Sequence, residues 1–179
     1  MNDIQETRRA INELVDQYNL PVLRSTFEMT DKDVDRYSTK KNHRFSLVVV
    51  FNSDGEFLVL KNSFRDWGWE LPGGNVEPSE NYIEAAKREA LEEAGVVIKN
   101  LVPICIIQAD IVSPSYRLES LGVGFSTVWS GDFVECEKET TIHTFTGSIP
   151  EGSKFVNADV IRIALSKFDW IKEKTCAAC

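Results

Sequence analysis

The sequence predicts an α/β sandwich built around a mixed β-sheet, and three observations support this class. Short apolar stretches typical of strands alternate along the chain with two or three amphipathic helical stretches. The 179 residues are 42% hydrophobic and 27% charged, which is sufficient for one domain with its own core. The chain shows no internal repeat and no low-complexity segment, so neither a fibrous nor a disordered protein is indicated.

Charge and the length of the apolar runs argue against several functions. The longest nearly uncharged apolar runs, such as 45–51, are far shorter than the ~20 residues of a membrane helix, and residues 1–10 lack the apolar stretch of a secretory signal. Lys and Arg number 20 against 28 Asp and Glu, for a net charge of -8, which disfavours binding to duplex nucleic acid. We therefore expect a cytoplasmic protein without membrane contact. A small phosphorylated ligand is not disfavoured, because an acidic protein can hold phosphates if divalent cations bridge the like charges.

The cysteines favour a reducing compartment, because four in a chain of this length are too few for a disulfide scaffold. By spacing, Cys176 and Cys179 fit a redox or metal motif, and by position they fit a prenylation box. No second pair completes a zinc site, and His43 and His143 have no ligand-like spacing. We assign the tail, 175–179, no function.

The first third of the chain predicts one helix and one hairpin. Asp3 and Glu6 form a capping box for a helix whose inner face carries Ile4, Ile11, Leu14, Val15 and Tyr18. A polar stretch over roughly 25–43 has no clear period. Residues 44–51 then predict a buried strand, 52–55 a turn and 56–61 the partner strand.

The remainder predicts two helices and three further strands. Residues 71–75 break regular structure, and a helix is expected to open at 78–80 and to run to Ala94, where Gly95 stops it. Strands are expected at 101–111, at 121–129 and, more weakly, at 140–146. Asn157 is expected to cap a final helix with Val160, Ile161, Ala164, Phe168 and Ile171 facing inward.

The helix before Gly95 has an unusual distribution of charge. Ile83, Ala86, Ala90 and Ala94 share a face that is expected to lie on the sheet, while Glu89, Glu92 and Glu93 share another. Glu89 and Glu93 are a like-charge i,i+4 pair, which costs about 0.2–0.5 kcal/mol in an isolated helix. Arg88 offsets part of the Glu92 charge, but no basic residue has the spacing to pair with Glu93.

A solvated acidic face is the plain explanation of that helix. It would also have to explain the Gly-Gly loop after a proline and the small residues that let the helix sit close to the sheet. Clustered carboxylates beside exposed loop carbonyls are instead the ligands that Mg²⁺ prefers.

The segment 74–96 resembles the Nudix box of the Nudix hydrolase family, also called the MutT/Nudix superfamily. All seven fixed positions of that motif are filled, by Gly74, Glu80, Arg88, Glu89, Glu92, Glu93 and Gly95. At average residue usage a chance match has odds of roughly 10⁻⁸ per starting point. Ala90 departs from the pattern, which more often has a bulkier aliphatic residue, and this departure affects packing rather than chemistry.

The resemblance implies an α/β/α sandwich and a division of the chain. The Nudix domain is expected over 43–174, preceded by an N-terminal helix and extension over 1–42. Whether that extension supports a homodimer or covers the site is left open by the sequence.

The resemblance also implies a reaction, the hydrolysis of a nucleoside diphosphate linked to another moiety. Glu89, Glu92 and Glu93 would hold one or more Mg²⁺ or Mn²⁺ ions, with the Gly74 carbonyl as a further ligand. Glu80 and Arg88 would pair to brace the loop against the helix, and Arg88 would orient its glutamate neighbours. The general base varies in the family and would be either Glu89 or an acid on a later loop, for which the candidates are Glu135, Glu137 and Glu139.

Contacts to the substrate are less specific in the sequence. Trp67 or Trp69 would stack on a base, the alternative being that at least one fills the core. Arg44 would contact phosphate, although surface charge explains it equally well. A non-catalytic Nudix-fold module that senses a nucleotide or contacts a protein is the alternative function, and the complete set of box glutamates argues against it.

Overall fold

The protein folds as one mixed sheet between two layers of helices. In the computed structural model, the described residues are 3–28, 30–31, 44–62, 68–115, 117–135, 141–153 and 155–176. The helices are α1 (Asp3–Tyr18), α2 (Tyr82–Ala94), α3 (Phe155–Ser166) and α4 (Phe168–Cys176). The strands are β1 (Val22–Glu28), β2 (Arg44–Phe51), β3 (Phe57–Asn62), β4 (Gly73–Asn75), β5 (Val102–Val112), β6 (Arg117–Val128) and β7 (Thr141–Thr146).

The sheet has the strand order β1-β5-β6-β2-β3-β7, with the short β4 paired to β2. The pairs β1/β5 and β2/β6 are parallel and the other pairs are antiparallel, which confirms the predicted mixed sheet.

Alternation along β2 supplies both faces of the sheet. Val48 and Val50 belong to a core cluster under α1 and α2, which we call the first core. Val49 and Phe51 belong to a cluster under α3 and α4, which we call the second core. The predicted sandwich is therefore confirmed, and α2 lies on the first-core face.

Strand β1 lies within a region for which the sequence predicted a helix followed by a polar stretch without period. Its residues alternate between exposed and half-buried, and Leu23 and Phe27 pack against the second core. The hydrophobic pattern is weak because one face of β1 stays exposed; within the described residues, this strand lies at the edge of the sheet and pairs with β5. Through β1, part of the N-terminal extension belongs to the sheet.

Two predicted helix boundaries are wrong. Helix α2 begins at Tyr82 rather than at 78–80, because the Asn81 side chain caps it. The single C-terminal helix is two helices that break at Lys167, and the first of them begins at Phe155, ahead of Asn157. Asn157 is therefore a buried residue of the first turn and not the cap.

The predicted hairpin over 44–61 is confirmed to within one residue. Asn52 Oδ1 accepts hydrogen bonds from the backbone N–H groups of Asp54 and Glu56, both at 3.0 Å, and Gly55 adopts a φ of 81°. Asx-type bonding and a left-handed glycine are what the Asn-Ser-Asp-Gly sequence favours.

Among the described residues, no helix combines the length and apolar character needed to cross a membrane. Cys105 is a free, buried thiol on β5, and burial raises its pKa to about 12. Cys176 is free and exposed, whereas Cys136 and Cys179 lie outside the described residues.

Candidate active site

Both ends of α2 are fixed by local hydrogen bonds. The Asn81 side chain accepts from the backbone N–H groups of Ile83 and Glu84, at 2.9 and 3.0 Å, while Glu84 accepts from the Asn81 N–H at 2.8 Å. At the other end Gly95 adopts a φ of 66°, and the N–H groups of Gly95 and Val96 donate to the carbonyls of Leu91 and Ala90. A helix capped at both ends holds its side chains in a fixed register.

Small residues let α2 approach the sheet. Ala86, Ala90 and Ala94 are buried as predicted, but Ile83 is 44% exposed, and Tyr82 and Ala85 are buried in its place. The inner face of the helix is thus rotated from the predicted one and includes Tyr82. The Tyr82 hydroxyl donates to the Leu121 carbonyl at 3.4 Å. A phenol with a backbone acceptor is anchored more firmly than an isoleucine at the helix end.

Arg88 is the centre of the charged network on α2. Its Nε and Nη2 donate to the two oxygens of Glu80, at 2.6 and 3.0 Å, and Nη2 also donates to the Asn75 carbonyl at 3.0 Å. Nη1 donates to Glu89 Oε1 at 2.8 Å and to Glu92 Oε2 at 3.2 Å. One guanidinium thus joins the loop before α2 to two glutamates on the helix.

These contacts shift the ionisation of both members of the Glu80–Arg88 pair. Hydrogen bonds from Arg88 hold the pKa of Glu80 below its usual value, against the opposing effect of partial burial, and the Glu77 N–H adds to the lowering. The same bonds raise the pKa of Arg88. The pair is therefore fully charged at neutral pH.

Two glycines of β4, Gly73 and Gly74, lie against Glu93 and Glu89. The Gly73 N–H donates to Glu93 Oε2 at 2.9 Å, which supplies the partner for Glu93 that side-chain spacing did not reveal. A Cβ placed on Gly74 would fall on the Glu89 carboxylate, with its Cδ at 2.6 Å. Gly74 is therefore required because the carboxylate occupies the space of its side chain.

The carboxylate oxygens of Glu89, Glu92 and Glu93 are suitable ligands for a hard divalent cation, but they are not arranged around one point in this structure. Within the described ranges, no group of three or more His, Cys, Asp or Glu residues is arranged to hold a metal ion. The reason is visible in the contacts, since Arg88 holds Glu89 and Glu92 while the Gly73 amide holds Glu93. All donors on this face are oxygens, which Mg²⁺ and Mn²⁺ accept as ligands.

The segment after β6 is attached to the end of α2. The Val134 N–H donates to the Gly95 carbonyl at 2.8 Å, and a Cβ on Gly95 would collide with the Val134 carbonyl. Glu135 therefore follows directly on a residue bonded to the C-terminal end of the helix. Glu137 and Glu139 lie outside the described residues.

The predicted substrate contacts that the structure describes, Trp69 and Arg44, are both half-buried. Trp69 is half-buried and packs against the second core, as the core-filling alternative expected. Arg44 is half-buried on β2, and its Nε is buried without a hydrogen-bond partner. Trp67 lies outside the described residues.

The chain matches the model of a known protein family. The NUDIX domain pattern matches residues 41–159, more than half of the chain. The chain belongs to this family. The resemblance of the Nudix box is thus confirmed, and the matched range begins two residues before the predicted domain and ends before α4.

Curated relatives of this NUDIX protein match parts of it. The 8-oxo-dGDP phosphatase NUDT18 of Danio rerio is 37% identical over 73 residues, which are 39% of this chain and 22% of that protein. The RNA pyrophosphohydrolase of Pelagibacter ubique is 29% identical over 101 residues, 56% of this chain and 60% of that protein. The chain thus spans about a fifth of the length of NUDT18.

Solved structures share the fold of this NUDIX protein. The NUDIX domain of Shewanella oneidensis NrtR, solved with ADP ribose, has a TM-score of 0.57 and 18% identity, and covers 78% of this chain and 99% of that one. The C. elegans Ap4A hydrolase, solved as a binary complex, has a TM-score of 0.54 and 20% identity, and covers 71% and 98%.

Proposed function

We propose that this NUDIX protein is a metal-dependent pyrophosphohydrolase that cleaves the pyrophosphate linkage of a nucleoside diphosphate derivative. The observation that carries the proposal is the placement of Glu89 and Glu93 against the Gly73–Gly74 loop, with Glu92 beside them on the same rigid helix. Carboxylates gathered at such a loop serve a cation better than they serve stability, because like charges on one helix face repel.

Glu89, Glu92 and Glu93 would hold the cation, Mg²⁺ or Mn²⁺, and the Gly74 carbonyl would be a further ligand. A bound divalent cation neutralises phosphate charge and acidifies a water molecule. The Glu80–Arg88 pair would brace the loop against α2, so that the backbone carrying the carboxylates stays in place when a cation binds.

The base that removes the proton from the attacking water is proposed to be Glu89 or an acid of the later loop, Glu135, Glu137 or Glu139. Glu89 lies over Gly74 within the box, and Glu135 lies on the segment bonded to the end of α2. Arg44, half-buried at the start of β2, would contact a substrate phosphate.

The substrate is proposed to be a small nucleotide and not a duplex nucleic acid, because the chain carries a net charge of -8. Relatives named 8-oxo-dGDP phosphatase, 8-oxo-dGTP diphosphatase, RNA pyrophosphohydrolase and bis(5′-nucleosyl)-tetraphosphatase define the compounds to screen first. A reducing compartment such as the cytoplasm suits the free thiols of Cys105 and Cys176.

The deciding experiment compares the parent with Glu93→Gln, with Glu77→Gln as the control. Glu77 is an exposed glutamate on the same loop, and its backbone N–H, which the substitution keeps, bonds Glu80. We expect Glu93→Gln to lower turnover by ~10²-fold or more, since a lost ligand misplaces cation and water. It should also lose most of the thermal stabilisation that Mg²⁺ or Mn²⁺ confers on the parent, because only the folded site binds metal.

Two results would contradict the proposal. Full turnover of the parent in excess chelator would remove the metal assignment. A nucleotide that stabilises the parent without being hydrolysed, at any metal concentration and across the whole screen, would instead indicate the non-catalytic module.

A further inference from the structure

Four buried side-chain atoms in the described part of the chain have no hydrogen-bond partner: Arg44 Nε, Ser46 Oγ, Glu70 Oε1 and Asn157 Oδ1. Of these residues, Ser46 has no exposed surface at all. A buried hydroxyl without a partner costs free energy and is uncommon in native proteins. The position of Ser46 therefore needs an explanation other than folding.

The strand register places Ser46 beside Glu89. Ser46 lies on β2 directly opposite Gly74 on the antiparallel β4, and it shares the first-core face with Val48. Directly opposed residues point to the same face, with Cβ atoms about 4.5–5.5 Å apart. The Glu89 carboxylate occupies the space of a Gly74 Cβ. The hydroxyl and the carboxylate are thus neighbours across a glycine.

Packing alone does not explain a serine here. Ser46 is paired on its other side with Val123 of β6, and Val48 follows it on the same face, so its neighbours on β6 and along β2 are aliphatic. Alanine would fill this position without burying a polar atom.

We propose that Ser46 is a positioning residue for Glu89. Its hydroxyl donates to the carboxylate, directly or through one buried water, when Glu89 turns from Arg88 towards the cation. In the present structure Arg88 Nη1 donates to Glu89 Oε1 at 2.8 Å, and the Ser46 hydroxyl has no hydrogen-bond partner. A hydrogen bond donated to an ionised carboxylate is stronger than a hydrogen bond donated to a neutral acceptor. This inference rests on the proposed function, since it assumes that Glu89 serves a cation.

The test compares Ser46→Ala with Ser126→Ala. Ser126 is an equally buried serine on β6, but its hydroxyl donates to the Val49 carbonyl at 2.9 Å. Thermal melts are recorded over a series of Mn²⁺ concentrations, without nucleotide, and kcat and KM are measured on the best substrate of the screen.

We expect Ser46→Ala to match or exceed the metal-free Tm of the parent, because no existing hydrogen bond is lost. The Mn²⁺ concentration for half-maximal stabilisation should rise and kcat should fall, each by ~10-fold, since partners of metal ligands typically have effects of this size. KM at saturating metal should stay within about 2-fold of the parent, because the hydroxyl does not touch the nucleotide. Ser126→Ala should show the reverse, with a lower Tm and an unchanged response to Mn²⁺.

Parental metal response and kcat in Ser46→Ala would overturn the inference. A metal-free loss of Tm as large as that of Ser126→Ala would also overturn it, because the hydroxyl would then have a structural partner. If Glu93→Gln loses the metal response while Ser46→Ala keeps it, this inference fails and the proposed function stands. If the parent itself shows no response to Mn²⁺ and no turnover, both fail.

Discussion

In this site, the identity of a single residue can be determined by the atoms that contact it rather than by its own backbone conformation. Gly74 is the clearest case, because the Glu89 carboxylate occupies the position of its absent side chain. The motif has a glycine at this position, but the sequence does not reveal why a glycine is needed. The reason is a contact between residues on two elements, which residue spacing does not encode.

Gly74→Ala should lower kcat by at least ~10-fold, because the new Cβ would push the Glu89 carboxylate from its place. Gly147→Ala is the matched control, since a Cβ there meets no atom within 4 Å. The measurement is turnover at saturating metal, with thermal melts to show that both variants fold. Equal turnover in the two variants would mean that Glu89 is free to move without loss.

Glu80 gives the site a defined response to acid. Its pKa is lowered in the folded protein, so the stability that it contributes is present above the unfolded pKa of about 4.3 and is lost as the pH falls through the folded value. Glu80→Gln should therefore destabilise the protein at pH 7 by about 1–2 kcal/mol, with the difference from the parent shrinking in acid. Urea denaturation at pH 7 and near pH 3 measures both values. A difference that does not depend on pH would show that the Glu80–Arg88 bonds contribute by shape alone.

Among the elements, the sequence predicted those whose boundaries are set by short-range chemistry. Strand β2 was placed correctly to the residue, and Gly95 was correctly identified as the end of α2. Strand β1 was missed because it is stabilised by pairing with β5, some eighty residues away. The start of α2 was misplaced because Asn81 competes with Pro78 as the opening residue, and only the hydrogen bonds decide between them.

The attachment of the 133–135 segment to α2 has a consequence for catalysis. If Glu135 is the base, Glu135→Gln should lower kcat by ~10²-fold and leave the Mn²⁺ response of the thermal melt unchanged. If Glu89 is the base, the same variant should retain parental turnover. Glu137→Gln and Glu139→Gln, measured in parallel, test the other two candidate acids, which follow this segment in the sequence.

At the scale of the whole molecule, the N-terminal extension is proposed to be part of the domain and not an appendage. Ile11 of α1 and Leu20 after it are buried in the first core, and β1 covers the edge of β5. Removal of residues 1–28 should expose that edge and part of the core, so the shortened chain should melt at lower temperature and aggregate. Differential scanning calorimetry with light scattering checks this, and an unchanged Tm would make the extension dispensable for stability.

The network around Arg88 would also limit the affinity of the proposed site for a divalent cation. A cation that draws Glu89 and Glu92 to itself has to compete with the guanidinium that already bonds them, and for Glu93 it competes with an amide. The net affinity is the difference between two sets of contacts, so it is weaker than three unengaged carboxylates would give. Occupancy should consequently rise and fall with the free ion concentration around the protein, and exchange should be rapid. Phosphate oxygens arriving with the nucleotide add ligands that have no such competitor, so ion and substrate should each raise the affinity for the other.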